Sequence, residues 1–183
     1  MNGTIVYFEQ REQDHTIETL TLAKAQAENA GLRAVVLAST TGATAKAAME
    51  VFRNSTVHLV VVPHQFGFSA KGNTFPKELV SELRTADHEV HFGTMLFHTD
   101  KLYANNAPTL IASILRCFGQ GTKVCFEICM MAADAGLVEE GERVVVIAGT
   151  ARGADTALVM QAAPSVRHAR LRVDQILCKP LYE

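Results

Sequence analysis

The chain has 183 residues, 48% of them hydrophobic and 20% charged, which is the composition of a folded globular protein and not of a disordered one. A formal net charge of −2 and a pI near 6.4 exclude the electrostatic footprint of a nucleic-acid binder. No apolar stretch approaches the roughly 20 residues that span a bilayer, and no basic, apolar leader precedes the first strand-like run, so the expected setting is cytoplasmic. Four cysteines (Cys117, Cys125, Cys129, Cys178) in a chain rich in apolar residues read as reduced thiols, not as a disulfide framework. The length suits one domain over 1–183.

In chain order, a strand over 4–8 is followed by a polar loop over 9–14. A helix over about 16–30 then presents Ile17, Leu20, Ala23, Ala27 and Ala30 on its apolar face, with Gly31 as its stop. Next come a buried strand over 34–38, the hydroxyl-rich turn Ser39, Thr40, Thr41, Gly42, Ala43, Thr44, and a second helix. Its residues Ala45, Ala48, Met49 and Phe52 share one face. A strand that runs through a Gly-containing turn into a helix gathers free backbone N–H groups and the positive end of the helix dipole at one spot, which suits a phosphate. The plainer alternative is that one hydroxyl caps the helix. The turn is no Walker A loop, since no Gly-Lys-Ser/Thr triplet closes it, and it lacks the spaced glycines of a dinucleotide fingerprint.

A second apolar strand follows over 57–62. Like the run 34–38 it does not alternate, so both faces are expected to be covered. Strands alternating with helices imply a parallel sheet with right-handed crossovers. The loop over 63–73, with His64, Gln65, Phe66, Gly67 and Phe68, leaves the carboxyl end of that strand, where open α/β sheets bind ligands. A helix opening at Thr74 and Pro76 turns Leu79, Val80 and Leu83 inward. Residues 88–92 alternate as an edge strand would, and 93–106 reads as irregular.

Two strongly apolar helices follow, over 108–118 and 123–135, broken at Gly119 and Gly121. So much apolar helix surface in a small chain points to a homo-oligomer. Cys125 and Cys129 lie one turn apart, which allows half a metal site or simple core packing; no metal is expected. Glu127 is the one acidic residue of that run, so it sits at a solvent edge or meets a partner that matters. A strand over 143–148 leads into a second glycine-rich loop (Gly149, Thr150, Ala151, Arg152, Gly153, Ala154, Asp155) and an antiparallel return over 156–160. Arg152 and Asp155 are either turn chemistry or, with the backbone N–H groups, a second polar contact for a ligand. Residues 171–178 form a last strand, with Arg167, Arg170 and Arg172 expected as a solvated strand face.

The Ser39–Ala45 turn together with the run from Gly136 to Thr150 resembles the pyruvate kinase C-terminal domain, with Glu142 where that family usually has Asp. There the corresponding turn grips a phosphate of a sugar bisphosphate. No stretch reads as the barrel domain of pyruvate kinase. The chain is more similar to small stand-alone archaeal and bacterial proteins of this fold. The motifs are Ile5–Phe8, Ser39–Ala45, His64 with Gly67 and Phe68, Asn73–Thr74, Lys123–Ile128, Met131–Asp134 and Arg152–Ala157.

The resemblance implies a three-layer α/β domain, its sheet mostly parallel with an antiparallel strand near the C-terminal end, and flavin mononucleotide as ligand. The phosphate would sit on the turn from Ser39 to Thr44. His64, Gln65, Gly149, Thr150, Arg152, Gly153 and Asp155 would line the ribityl chain and ring, with Glu127 a further candidate. Two functions stay open: a flavin-dependent oxidoreductase of unknown substrate, or a non-catalytic module that senses a phosphorylated metabolite. The expected partner is a phosphorylated small molecule, with no nucleic acid and no membrane.

Overall fold

The apolar runs that do not alternate in sequence form the centre of one mixed sheet. The computed structural model describes residues 3–9, 13–70 and 72–181. Residues 10–12 of the expected loop over 9–14 and Lys71 of the loop over 63–73 lie outside the described residues. The strands are β1 (Val6–Phe8), β2 (Ala34–Ala38), β3 (His58–Val62), β4 (Glu89–Val90), β5 (Arg143–Ala148), β6 (Thr156–Gln161) and β7 (Arg172–Pro180). Their order across the sheet is β1-β7-β6-β5-β2-β3-β4. Only β6 runs against its neighbours β5 and β7; the other pairings are parallel, so the sheet is mostly parallel, as expected.

Each central strand divides its side chains between two cores. Val35 and Leu37 of β2, Leu59 and Val61 of β3, and Val145 and Ile147 of β5 face one layer of helices. That layer comprises α1 (Thr16–Asn29) with Leu20, Ala23 and Ala27, α2 (Ala43–Val51) with Ala45 and Ala48, and α3 (Lys77–Thr85) with Leu79 and Leu83. Val36, Val60, Val144 and Val146 face the opposite layer, where α6 (Gln120–Asp134) contributes Cys125, Ile128, Cys129 and Ala132. With both faces covered, every residue of a strand can be apolar, which is why alternation disappears.

Several boundaries differ from the sequence reading. Between 93 and 106 the chain makes a 3-10 turn (Leu96–His98) and the short helix α4 (Asp100–Tyr103), while β4 pairs over only two residues. The helix expected over 108–118 is α5 (Ala107–Leu115) running on into a 3-10 turn (Arg116–Phe118). Helix α6 starts at Gln120, so Gly121 lies inside its first turn and does not break it. A Cβ there would stand 2.1 Å from the Thr156 hydroxyl oxygen, so glycine permits the close approach of α6 to β6. Ile17 is exposed, not buried on α1. Arg167 and Arg170 are not on a strand: they sit in a 3-10 turn (Ser165–Arg170) and both pair with Glu140, at 2.7 and 2.6 Å.

The four cysteines are free; Cys125, Cys129 and Cys178 are buried and Cys117 is exposed. Burial pushes the Cys129 thiol up to about 12 and the Cys178 thiol up to about 11, and raises Cys125 as well. A thiol that stays protonated inside an apolar core is inert. A disulfide-exchange reagent at pH 8 should therefore titrate one thiol rapidly in the native protein and four after denaturation, with Cys117→Ser abolishing the fast phase.

Candidate functional site

Strands β2 and β5 lie side by side, yet the chain leaves them in opposite directions. From β2 it passes through α2 to β3, and from β5 it turns back into β6 on the other side. Such a divergence opens a crevice at the carboxyl edge of a sheet, which is where α/β folds bind ligands. A cleft of about 830 Å³ occupies that position. The β2 turn, the β5 loop, the start of α1, the segment after β3 and one side of α6 all reach it.

In the β2 turn, Ser39, Thr40, Thr41, Ala43 and Thr44 line the cleft. The Ser39 hydroxyl oxygen accepts the Ala45 N–H at 3.2 Å, so part of the capping alternative holds. The first-turn N–H groups of Ala43 and Thr44 have no acceptor within the helix by position. Gly42 has φ 87° and does not line the cleft. A Cβ there would lie 2.6 Å from Leu79 Cδ2 and 3.0 Å from Pro76 Cδ. Glycine is thus required by the left-handed entry into α2 and by the packing of α3, not by a ligand approaching that carbon.

The β5 loop brings Gly149, Thr150, Arg152 and Gly153 to the cleft, with Arg152 exposed at its rim. Asp155 points back into the protein. Its carboxylate accepts the Thr150 N–H at 2.9 Å and the Thr156 hydroxyl at 2.7 Å, which is the turn chemistry of the plainer reading. Thr16 clamps the same loop: its hydroxyl oxygen accepts the Ala154 N–H at 2.9 Å, and a Cβ on Gly153 (φ 68°) would stand 2.1 Å from that oxygen. Asp14, also on the cleft wall, accepts the Thr16 N–H at 2.9 Å, and the hydrogen bonds from Thr16 hold its carboxyl below the ordinary carboxylate range.

His64 lines the cleft, with Nε2 3.3 Å from the Thr40 hydroxyl. Asn73 donates to the His64 carbonyl at 2.7 Å and Thr74 donates to the Thr40 carbonyl at 3.1 Å, stapling this segment to the β2 turn. Gln65 is not brought to the cleft; its amide oxygen accepts the Met95 N–H at 2.7 Å. Phe68 stands edge-on to His64 and His98, at ring separations of 4.7 and 5.2 Å. Desolvation holds both imidazoles below the usual histidine value, and the ammonium of Lys123 adds to this.

The α6 wall decides between the two readings of Glu127. Glu127 is buried and partnered, the second of its two alternatives. Lys123, 1% exposed, donates to Glu127 Oε2 at 2.6 Å, and the Phe97 N–H donates to Glu127 Oε1 at 2.8 Å. The Lys123 nitrogen is also 3.2 Å from His98 Nε2 and 5.4 Å from the centre of the Phe97 ring. A Lys and a Glu four apart inside an apolar helix was a legible sign of this pair. The sequence reading placed Phe68 with His64 in the loop at the ligand end of the sheet, but nothing in it brought His98 or Thr16 to the same place. Among the described residues no group of three or more His, Cys, Asp or Glu could hold a metal, and Cys125 and Cys129 pack in the core.

Removing one partner of a buried ion pair strands the other charge, whereas replacing both with apolar groups of similar volume is close to neutral. Lys123→Met should therefore destabilise the fold by about 3–5 kcal/mol, and Lys123→Met with Glu127→Leu should recover part of that loss, the remainder reflecting the Phe97 N–H left without its acceptor. Urea unfolding of the three proteins checks this; a double variant no more stable than the single one would contradict it.

A family model described as the pyruvate kinase alpha/beta domain matches residues 18–160. Among solved structures, a pyruvate kinase of Cryptosporidium parvum in complex with ADP matches with TM-score 0.46 and 11% identity, over 84% of this chain and 25% of that one. A second pyruvate kinase structure from the same organism gives TM-score 0.47 and 10% identity, over 84% and 24%. The chain thus spans about a quarter of the length of the pyruvate kinases it matches. With the family model covering well over half of its residues, the chain belongs to the pyruvate kinase alpha/beta domain family.

Proposed function

We propose that the cleft binds a phosphorylated small molecule, with its phosphate on the first turn of α2, and that this molecule is flavin mononucleotide. One observation carries the reading: the hydroxyl-rich turn and the glycine-rich loop open into one crevice at the switch point between β2 and β5. At about 830 Å³ that crevice falls in the range of small-molecule sites, about 300–1,000 Å³. Phe68, His64 and His98 offer ring faces and edges suited to a planar ring. A bound flavin would supply redox chemistry, with the protein supplying orientation and electrostatics.

A flavin-dependent oxidoreductase and a non-catalytic sensor share this binding step. The sensor reading draws on the way the polar groups of the cleft satisfy one another, Lys123 with Glu127 and Thr40 with His64. Anaerobic addition of NADH or NADPH to the flavin-loaded protein separates the two. Bleaching supports the oxidoreductase, and a yellow protein inert to both supports the sensor. The free cysteines support a reducing, cytoplasmic setting.

Charge-assisted hydrogen bonds to a phosphate are worth about 1.5–3 kcal/mol, so flavin mononucleotide should bind about ten- to a hundredfold more tightly than riboflavin. Thr41→Glu should erase that preference while leaving the fold intact, because an acidic residue at a helix N-terminus suits the dipole but repels phosphate. Fluorescence titration with both ligands checks this; equal affinities in the parent protein would overturn the phosphate reading.

The chain is further proposed to self-associate through α5. Leu110, Ile111 and Ile114 are exposed there, as is Phe118 in the 3-10 turn that follows, and no charged residue occurs between Lys101 and Arg116. Light scattering at micromolar concentration should show an oligomer that Ile114→Glu dissociates.

A further inference from the structure

Stability alone does not call for a charged pair on α6, since a buried ion pair is weak evidence for stability. Its placement is informative instead. Glu127 spends both carboxylate oxygens inside the protein, one on Lys123 and one on the Phe97 N–H. Lys123 carries three N–H donors. One goes to Glu127, and a second is within reach of His98 Nε2 when that ring is neutral. Both residues nevertheless line the cleft, on the helix layer opposite the α2 turn. The ammonium is held by these neighbours in a water-poor wall, with two of its three donors accounted for.

We infer that Lys123 is the contact for an anionic or strongly accepting oxygen at the end of the ligand remote from its phosphate, and that Glu127 is the residue that positions it. This rests on the flavin mononucleotide reading above, and for that ligand the oxygen belongs to the carbonyl edge of the pyrimidine ring. Two-electron reduction with uptake of one proton at ring N5 leaves one negative charge shared by N1 and the C2 carbonyl. A fixed ammonium against that edge holds the reduced ring more tightly than the oxidised ring, and so raises the midpoint potential. Glu127 lowers the net charge of the pair, so it sets how large the rise is.

The test is the midpoint potential of the flavin-loaded protein, titrated anaerobically with dithionite as the electron source against a reference dye. The double variant Lys123→Met/Glu127→Leu, checked as folded by circular dichroism and read at saturating ligand, should lose affinity for both forms of the flavin. The loss should be at least about tenfold greater for the reduced form, a drop of about 30 mV for a two-electron couple. Glu127→Gln, which keeps an acceptor for Lys123 but removes the counter-charge, should move the potential the opposite way. The double variant leaves the net charge of the wall unchanged, so a pair that only packs there would leave its potential at the parent value. An unchanged potential in the folded double variant, or shifts of the same sign in both variants, overturns the inference while the binding reading stands. A parent protein that fails to bind flavin mononucleotide overturns both.

Discussion

The constraint on which the site depends is the adjacency of β2 and β5 as parallel neighbours. Parallel pairing of Val35, Val36 and Leu37 with Val145, Val146 and Ile147 brings the carboxyl ends of two strands far apart in sequence to one edge. The chain then departs on either side of that line. Neither the hydroxyl-rich turn nor the glycine-rich loop is a site alone; the register of two valine-rich strands makes them one. The cost of this arrangement is a set of backbone groups at the edge with no strand beyond them. The structure meets part of that cost with local side chains: Ser39 for the Ala45 N–H, Asp155 for the Thr150 N–H and Thr16 for the Ala154 N–H. Ala43 and Thr44 line the cleft, and their N–H groups have no acceptor within α2 by position, so they are donors of the kind suited to an anion.

The sheet was legible because its signal is burial on both faces, which one sequence displays directly as the runs 34–38, 58–62 and 143–148. The hairpin into β6 was legible for a different reason, the shortness of its loop. What could not be read was lateral order. No local pattern says that β1 lies at the far edge beside β7, since that choice is made by α1 packing across the sheet. The site was legible to the same depth. Ser39, Thr40, Thr41, Ala43, Thr44, His64, Glu127, Gly149, Thr150, Arg152 and Gly153 do line one cleft. Gln65 and Asp155 do not, because each is drawn off by a nearby backbone N–H, a competition that residue type alone does not reveal.

Gly42 shows how one residue type supports two readings. A glycine before a helix in a phosphate-type turn suggests that a ligand comes close to its backbone. In this fold the space beside it is filled by Leu79 and Pro76, and the left-handed φ is used to swing the chain from β2 into α2. Any side chain at 42 would disturb α3 before it met a ligand. It bears on the cleft through the geometry it imposes on Ala43 and Thr44, which line it.

The balance of charge in the cleft bears on how it would hold an anion. Lys123 is neutralised by Glu127 at 2.6 Å, His64 and His98 are held toward their neutral forms, and Arg152 is exposed. Asp14 adds a negative charge to the wall near the β5 loop. Little net positive charge remains to attract a phosphate by long-range Coulomb force, and what Arg152 offers is screened within about 8–10 Å at ordinary ionic strength. Binding at the α2 turn would then rest on short-range, oriented donors: the N–H groups of Ala43 and Thr44, the hydroxyls beside them, and the local dipole of the helix. Those act at contact distance and are screened far less than a surface charge once the ligand has displaced water. A turn built this way selects for the shape and position of the anion more than for its charge, which is the property a cleft needs if the rest of the ligand must be laid along the sheet edge toward Lys123.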